Sequence, residues 1–276
     1  MKKLLVSLAL LLPLCAAAQT STEFLARTSV GADYKIQKGL HLNVEEEIRL
    51  ADQLSGLDNM RTTLGITCKP VKFLKIGAGY TLINPYKASK SSFNAPRHRL
   101  FADVTGYLRT GDFQFSLRER LQFTHRCGDF NTFQTTPNAL ALKSKLAVKY
   151  KGWMYVEPYA AFEVRTALND PWVTLQYNSD GTPVEVYDTD KNPSSKSYHY
   201  YVIDNTAYSH LYNNRYRMQL GADIQFSKQH TLTPYLLMDY CSDYGIDTDG
   251  SGAHLYSAAY SDTFKISLGI SYVFSF

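Results

Sequence analysis

Six arginines recur as pairs two residues apart: Arg97 and Arg99, Arg118 and Arg120, Arg215 and Arg217. In an extended chain, residues i and i+2 share a face. Each pair therefore points one way, and the three pairs offer one local basic surface. Rings of Arg or Lys lining a pore favour anions. The same polar faces carry Arg49, Arg61, Lys143 and Lys145, together with Glu45, Glu47, Asp103, Glu157, Glu163, Asp223 and Asp239. Folding the chain back at Thr110-Gly111 sets Asp103 against Arg118, and folding it back at Lys151 sets Lys145 against Glu157. Opposite charges facing each other across strands stabilise a sheet modestly, so this set also reads as a paired network that fills an interior. A solute path and a filled interior are the two alternatives.

Other chemistry is thinner. His98, His125, His210 and His254 fall near strand ends, with Ser209 beside His210 and Ser251 close to His254. A Ser–His pair with a polar orienting residue at the rim could act on lipids. Sequence proximity alone does not make such a site, and no catalytic residue is assigned; a non-enzyme is expected. Asp188-x-Asp190 and Asp247-x-Asp249-Gly250 offer oxygen ligands of the kind Ca²⁺ takes. Counting from Gly245 places Tyr256 where a bidentate Glu is required, so solvated turns are the better reading and neither metal nor cofactor is expected. The stretch 169–213, with Trp172 and many tyrosines, could contact a partner, which makes a surface receptor or adhesin the competing class.

These residues need strands to position them. In Leu40 to Leu50, Leu40, Leu42, Val44, Ile48 and Leu50 oppose His41, Asn43, Glu45, Glu47 and Arg49. Phe113 to His125 and Tyr216 to Phe226 alternate in the same way, and the last strand puts Phe264, Ile266, Leu268, Ile270, Tyr272, Phe274 and Phe276 on one face. Segments of about ten residues with this alternation are the signature of transmembrane strands. Pieces of the type VGADY, LGITC, IGAGY, LGADI and LGISY repeat a Gly on the polar face, where bending and close approach are easiest. Short turns are expected at Lys38-Gly39, Lys69-Pro70, Thr110-Gly111, Lys151-Gly152 and Ser227 to His230. Long polar connections are expected at 53–59, 85–96, 126–138, 169–213 and 245–262, the longest holding a hairpin about Asn178-Ser179-Asp180-Gly181. Outward aromatics (Tyr34, Phe113, Tyr150, Phe226, Tyr272, Phe274) gather at the short-turn ends, as an interfacial girdle does.

Two features resist this plan. About eleven spans can be counted, yet single-chain bacterial barrels have even numbers; Phe24 to Gln37 is the doubtful one, ten or twelve strands fit, and twelve is preferred. Glu46 and Glu119 fall on apolar faces. A β-bulge or a position near the interface is the favoured explanation, a subunit contact the other.

The chain opens with a targeting segment: Lys2 and Lys3, an apolar run from Leu4 to Leu14, and Ala16-Ala17-Ala18 as a cleavage site. Removing 1–18 leaves 27 basic against 25 acidic residues, a net charge of +2, too balanced to argue for nucleic acid. Cys68, Cys127 and Cys241 then remain; Cys127 and Cys241 could pair, though three unpaired small residues are the better reading.

The terminal run FKISLGISYVFSF resembles the last strand of outer-membrane barrels. The resemblance implies that Tyr272, Phe274 and Phe276 serve as the signal read by the barrel assembly machinery. The order LNVEEEIRL, RTTLGITCK, LKIGAGYTL, HRLFADVTGYL, LRERLQF, EPYAAFEV, NRYRMQLGADI and the terminal strand resembles a Bacteroidota outer-membrane barrel family of unknown function, the domain of unknown function 2490 type. That family implies no activity and no catalytic residue. The expectation is thus a signal peptide (1–18) followed by one barrel domain (19–276). The fold is an all-β transmembrane antiparallel up-and-down β-barrel of ten to twelve strands. Its turns are short and periplasmic, its loops long and extracellular, and 168–213 is the longest. It lies in a Gram-negative outer membrane, among lipids and lipopolysaccharide, as a narrow anion-favouring channel or structural barrel. The loop receptor is the alternative and a lipid-modifying enzyme a third reading.

Overall fold

A computed structural model describes residues 21–187 and 199–276. The targeting segment and the Asp188-x-Asp190 pair lie outside the described residues. Thirteen strands account for nearly all regular structure: β1 (Ser21–Gln37), β2 (Leu40–Leu50), β3 (Leu57–Val71), β4 (Leu74–Lys87), β5 (Ser92–Phe93), β6 (Arg97–Thr110), β7 (Phe113–Arg126), β8 (Asn138–Tyr150), β9 (Val156–Leu175), β10 (Glu185–Tyr187), β11 (His199–Gln225), β12 (His230–Thr248) and β13 (His254–Ser275). Eleven of them close a barrel in the order β1-β2-β3-β4-β6-β7-β8-β9-β11-β12-β13, while β5 and β10 are short additions to β4 and β11. No helix among the described residues is long and apolar enough to cross a membrane.

Burial is inverted relative to a water-soluble domain. Val30, Leu100, Leu108, Leu117, Leu146 and Leu268 are exposed, whereas Arg27, Asp103, Glu163, Asp239 and Ser267 are buried. The period-2 alternation sends the apolar side chains outward and the charged ones into the lumen. That arrangement is stable only where the outside is lipid.

The preference for twelve strands is corrected to eleven. Phe24 to Gln37 does belong to the wall, and β1 meets β13 in parallel, from Ser21 opposite Thr263 to Asp33 opposite Ser275. An even number is required only when every neighbouring pair is antiparallel. Here both strands run from the long-loop rim to the short-turn rim, so one parallel joint closes an odd sheet.

Turn positions moved slightly, with consequences for pairing. The turn expected at Lys69-Pro70 forms at Lys72-Phe73, with an irregularity between Cys68 and Val71; Pro70 has no N–H for the ladder. The β6–β7 turn centres on Gly111-Asp112, with φ of 57° at Gly111. Asp103 therefore faces Arg120, not Arg118. The β8–β9 connection spans 151–155, so Lys145 faces Glu163, not Glu157. Each offset is an even number of residues, which keeps every side chain on its face and changes only its partner. The Gly repeat has a steric reason at Gly269, where a Cβ would collide with the Tyr235 ring lying across it.

Above the wall, β9, β11, β12 and β13 continue as two arms. The described residues of 168–213 are largely strand: β9 and β11 stay paired up to Leu175 opposite Ile203. Beyond, the Asn178 N–H donates to the Thr182 carbonyl at 2.8 Å and Gly181 takes φ of 82°. The arms pack on each other through Val173, Ile246 and Leu255, with Leu175, Tyr201 and Ile203 around them. The β7–β8 loop crosses to these arms. Asn131 Nδ2 donates to Thr248 Oγ1 at 2.7 Å, and the Tyr208 hydroxyl donates to the Thr132 carbonyl at 2.9 Å.

Candidate functional site in the barrel lumen

The lumen is layered by charge. Its middle is a closed network. Arg217 donates through Nε and Nη2 to the two Asp239 oxygens at 2.6 and 2.9 Å, and Arg27 approaches the same carboxylate at 3.6 Å. Arg118 donates to Glu163 at 2.9 Å, Arg120 holds Asp103 through two bonds at 2.9 and 2.5 Å, and Arg49 and Arg61 share Glu47 at 2.5 and 3.8 Å. Forked guanidinium–carboxylate contacts of this kind are short and strong. Ser267 and Asp239, at 0 % and 1 % exposure, mark where the interior is packed shut on the β12–β13–β1 side.

The opposite side is open. A cavity of about 610 Å³ is lined by Arg49, Arg61, Arg99 and Arg120, with Glu45 and Glu47 also in its wall. A second, of about 860 Å³, opens toward the short-turn rim. The two share Lys69, Lys75 and Arg118, so they meet at that level. Eight basic residues line the lower cavity against one carboxylate, Asp223. Lys149 reaches Asp223, and Lys151 pairs with Glu157 at 3.2 Å, but Lys69, Lys72 and Lys75 make no ion pair among the described residues.

The six arginines singled out by spacing divide in two. Arg118, Arg120 and Arg217 belong to the paired middle. Arg97, Arg99 and Arg215 lie nearer the long-loop mouth with no carboxylate partner; Arg99 donates only to the Thr124 hydroxyl, at 3.1 Å. Three relevant arginines escaped the spacing argument. Arg27 sits on β1, whose place in the wall was in doubt. Arg126 ends β7, and Arg165 lies on the polar face of β9, in line with Tyr159 and Glu163. Following alternation to the end of each strand would have found the last two.

The outward carboxylates stay outward. No register shift interrupts the pairing at Glu46 or Glu119, which overturns the bulge explanation. Each instead accepts a hydroxyl from the next strand: Thr62 Oγ1 donates to Glu46 at 2.6 Å, Ser144 Oγ to Glu119 at 2.6 Å. The neighbouring hydroxyl satisfies one oxygen where water is scarce.

The serine–histidine pairs do not form a relay. His254 Nδ1 lies 2.7 Å from Asp249, and Ser251 Oγ donates to that same carboxylate at 2.9 Å rather than to the imidazole. His210 faces the Tyr260 hydroxyl at 2.9 Å, His125 faces Asn138 at 2.8 Å, and His98 faces Tyr80 at 2.6 Å on the outer wall. Desolvation works to raise the Asp249 carboxyl, but hydrogen bonds from His254, Ser251 and two backbone N–H groups outweigh it and hold the group at about 2. Asp249 is thus committed to its own turn, and no group of three or more metal-ligating side chains converges among the described residues. Cys68, Cys127 and Cys241 are all free. The terminal aromatics Tyr272, Phe274 and Phe276 form a ladder at the short-turn rim, with Phe274 and Phe276 edge to face at 4.4 Å and Tyr34 beside Phe276 at 6.3 Å.

No curated protein matches the sequence. Among solved structures, the chain is similar to the outer-membrane expressed OmpT of Vibrio cholerae, at 10% identity and a TM-score of 0.35, covering 82% of this chain and 61% of that one. The chain thus spans about three fifths of that protein's length, and the barrel rests on its own geometry. The resemblance read from ordered motifs is met over β1 to β9, whereas NRYRMQLGADI and the terminal strand lie beyond the matched residues. The family described as "Protein of unknown function (DUF2490)" matches residues 27–182, more than half of the chain, and the chain belongs to it.

Proposed function

We propose that this protein is a narrow outer-membrane channel whose lumen favours anions, with the short turns in the periplasm and the long loops and arms at the cell surface. The observation that carries the reading is the lower cavity, where eight basic side chains face a single carboxylate. Low-dielectric walls focus such a field and raise the local concentration of anions. Eleven strands give a lumen between the roughly 8-stranded barrels filled by side chains and the roughly 16-stranded porins that hold a wide aqueous channel. A small pore beside a packed layer suits that size. In planar bilayers under a KCl gradient, the folded protein is expected to pass current with an anion-selective reversal potential. Lys69→Gln/Lys72→Gln/Lys75→Gln together are expected to move that potential toward zero. Silence at every voltage from demonstrably folded protein sinks the channel and leaves a structural barrel.

A second reading has its own observation. Trp172, 42% exposed, stacks on His210 at 4.9 Å and on Tyr244 at 5.5 Å in the arms. Such rigid, half-exposed rings are useful binding anchors, which supports a surface receptor acting through 169–213. Trp172→Ala would then abolish surface binding and leave the bilayer current intact. The aromatic ladder ending at Phe276 supports delivery through the barrel assembly machinery.

A further inference from the structure

Several like-charged residues stand directly opposite each other on the lumen face, and in two of the arginine pairs neither member has an ion-pair partner among the described residues. Arg97 faces Arg126 across β6–β7, and Arg165 faces Arg215 across β9–β11. Like charges directly opposite destabilise a sheet. In the middle of this lumen each arginine has a carboxylate, but none of these four has a hydrogen-bond or ion-pair partner among the described residues. The Nε groups of Arg126 and Arg215 are buried and unsatisfied, and a buried donor left so is costly.

Arg99 draws the two pairs together: its strongest charged neighbours are Arg165, Arg49, Arg215 and Arg97, all positive. Three carboxylates lie close enough for these arginines to feel their charge, Asp170 by Arg126 and Arg165, Asp243 by Arg165 and Asp58 by Arg97, but none is within ion-pair distance and each accepts from another side chain. Asp170 accepts from the Tyr212 hydroxyl at 2.9 Å, Asp243 from Asn214 at 3.0 Å, and Asp58 from Asn59 at 2.5 Å. β8 separates the pairs; its lumen-facing Lys143 stands directly opposite Arg165 and adds a further positive charge, and the residues beside it, Ala139, Ala141 and Ala167, are small and buried.

We infer that Arg97, Arg99, Arg126, Arg165 and Arg215 form a binding site for a tetrahedral oxyanion, phosphate or sulfate, either free or carried on a small solute. Guanidinium groups are permanently charged, and their planar forks match two oxygens of such an anion at once. A bound dianion turns the repulsion within both pairs into attraction and supplies acceptors for the stranded Nε–H groups. The inference rests on the anion-favouring lumen for access to the site, though not on steady conduction.

The test is thermal unfolding of the full chain, read by heat-modifiable gel mobility, in phosphate, sulfate, glycerol 3-phosphate or chloride at equal ionic strength. Phosphate and sulfate are expected to raise the midpoint above that in chloride, because a ligand bound only by the folded state stabilises it. A shift with glycerol 3-phosphate alone supports the site and identifies the solute-borne group as its ligand. Arg165→Gln and Arg215→Gln are each expected to abolish the phosphate shift while raising the midpoint in chloride, since each removes one member of a repelling pair. A purely structural role predicts a lower midpoint in chloride. Arg165→Lys keeps the charge but not the fork, and is expected to retain only part of the shift. Equal midpoints in all four salts, or a phosphate shift surviving in both Gln variants, overturn the site. No bilayer current with a variant-sensitive phosphate shift removes the channel and keeps the site, while current without that shift does the reverse.

Discussion

Asp239 is the side chain on which the middle of the lumen turns. It is 1 % exposed, takes two bonds from Arg217, and faces Arg27 as well. Removing one partner of a buried ion pair leaves an uncompensated charge, at a cost of about 3–5 kcal/mol. Asp239→Ala is expected to lose stability on that scale in urea unfolding from lipid vesicles; a loss within about 1 kcal/mol, typical of exposed pairs, would mean that the network is incidental. The two lipid-facing carboxylates predict the opposite sign. Glu119→Leu and Glu46→Leu should each raise stability in the same assay, since a charge on the lipid face is unfavourable despite the hydroxyl from Ser144 or Thr62. At the arm tip, Asp249 titrates from about 2 when folded against about 3.9 in an unfolded chain. Its contribution is therefore complete above pH ~4 and lost as pH falls through about 2. A carboxyl ¹³C titration with a midpoint at or above ~3.9 would show that the His254 and Ser251 bonds are absent in solution.

At the scale of the element, strand faces were legible and strand partners were not. Leu40 to Leu50 is β2 to the residue, and Phe113 to His125 is β7 short of Arg126, because lipid on one side and charge on the other impose period-2 alternation along each segment, interrupted in these two by Glu46 and Glu119. Register depends instead on where a turn centres. Gly111 could serve a turn with either neighbour, and the loop at 151–155 gives no sharp signal. The charge pairs read from hairpins were accordingly out by two residues at Asp103 and by six at Lys145. The arms were harder still: β9 and β11 run on past the wall only because the β12–β13 hairpin covers Val173 and Leu175, a tertiary fact with no local mark. The tie between the β7–β8 loop and the arms is equally non-local, joining Asn131 to Thr248 across 117 positions of sequence. Asn131→Ala is expected to free this loop and increase single-channel current without altering ion preference. Unchanged current would place the loop off the permeation route.

For the whole molecule, the class of fold could be read from composition and alternation, while its odd strand number could not. Parity fails as a guide because nothing in Phe24 to Gln37 announces a parallel neighbour 242 residues away, such as Ser271 beside Ser29. Those two hydroxyls lie 2.8 Å apart. In a variant lacking the native cysteines, Ser29→Cys/Ser271→Cys is expected to oxidise to a cross-link that makes the chain migrate as a circle in denaturing gels. An uncrosslinked chain under strong oxidant would put β1 elsewhere. The parallel joint has a consequence in time as well. Every other wall contact joins strands that leave the ribosome one after another, whereas this one joins the first to the last. The wall is therefore an open ribbon, with two bare edges ready to recruit any strand nearby, until β1 and β13 meet. Closing so long a loop is entropically costly, so the seam is expected to be the last part of the wall to form.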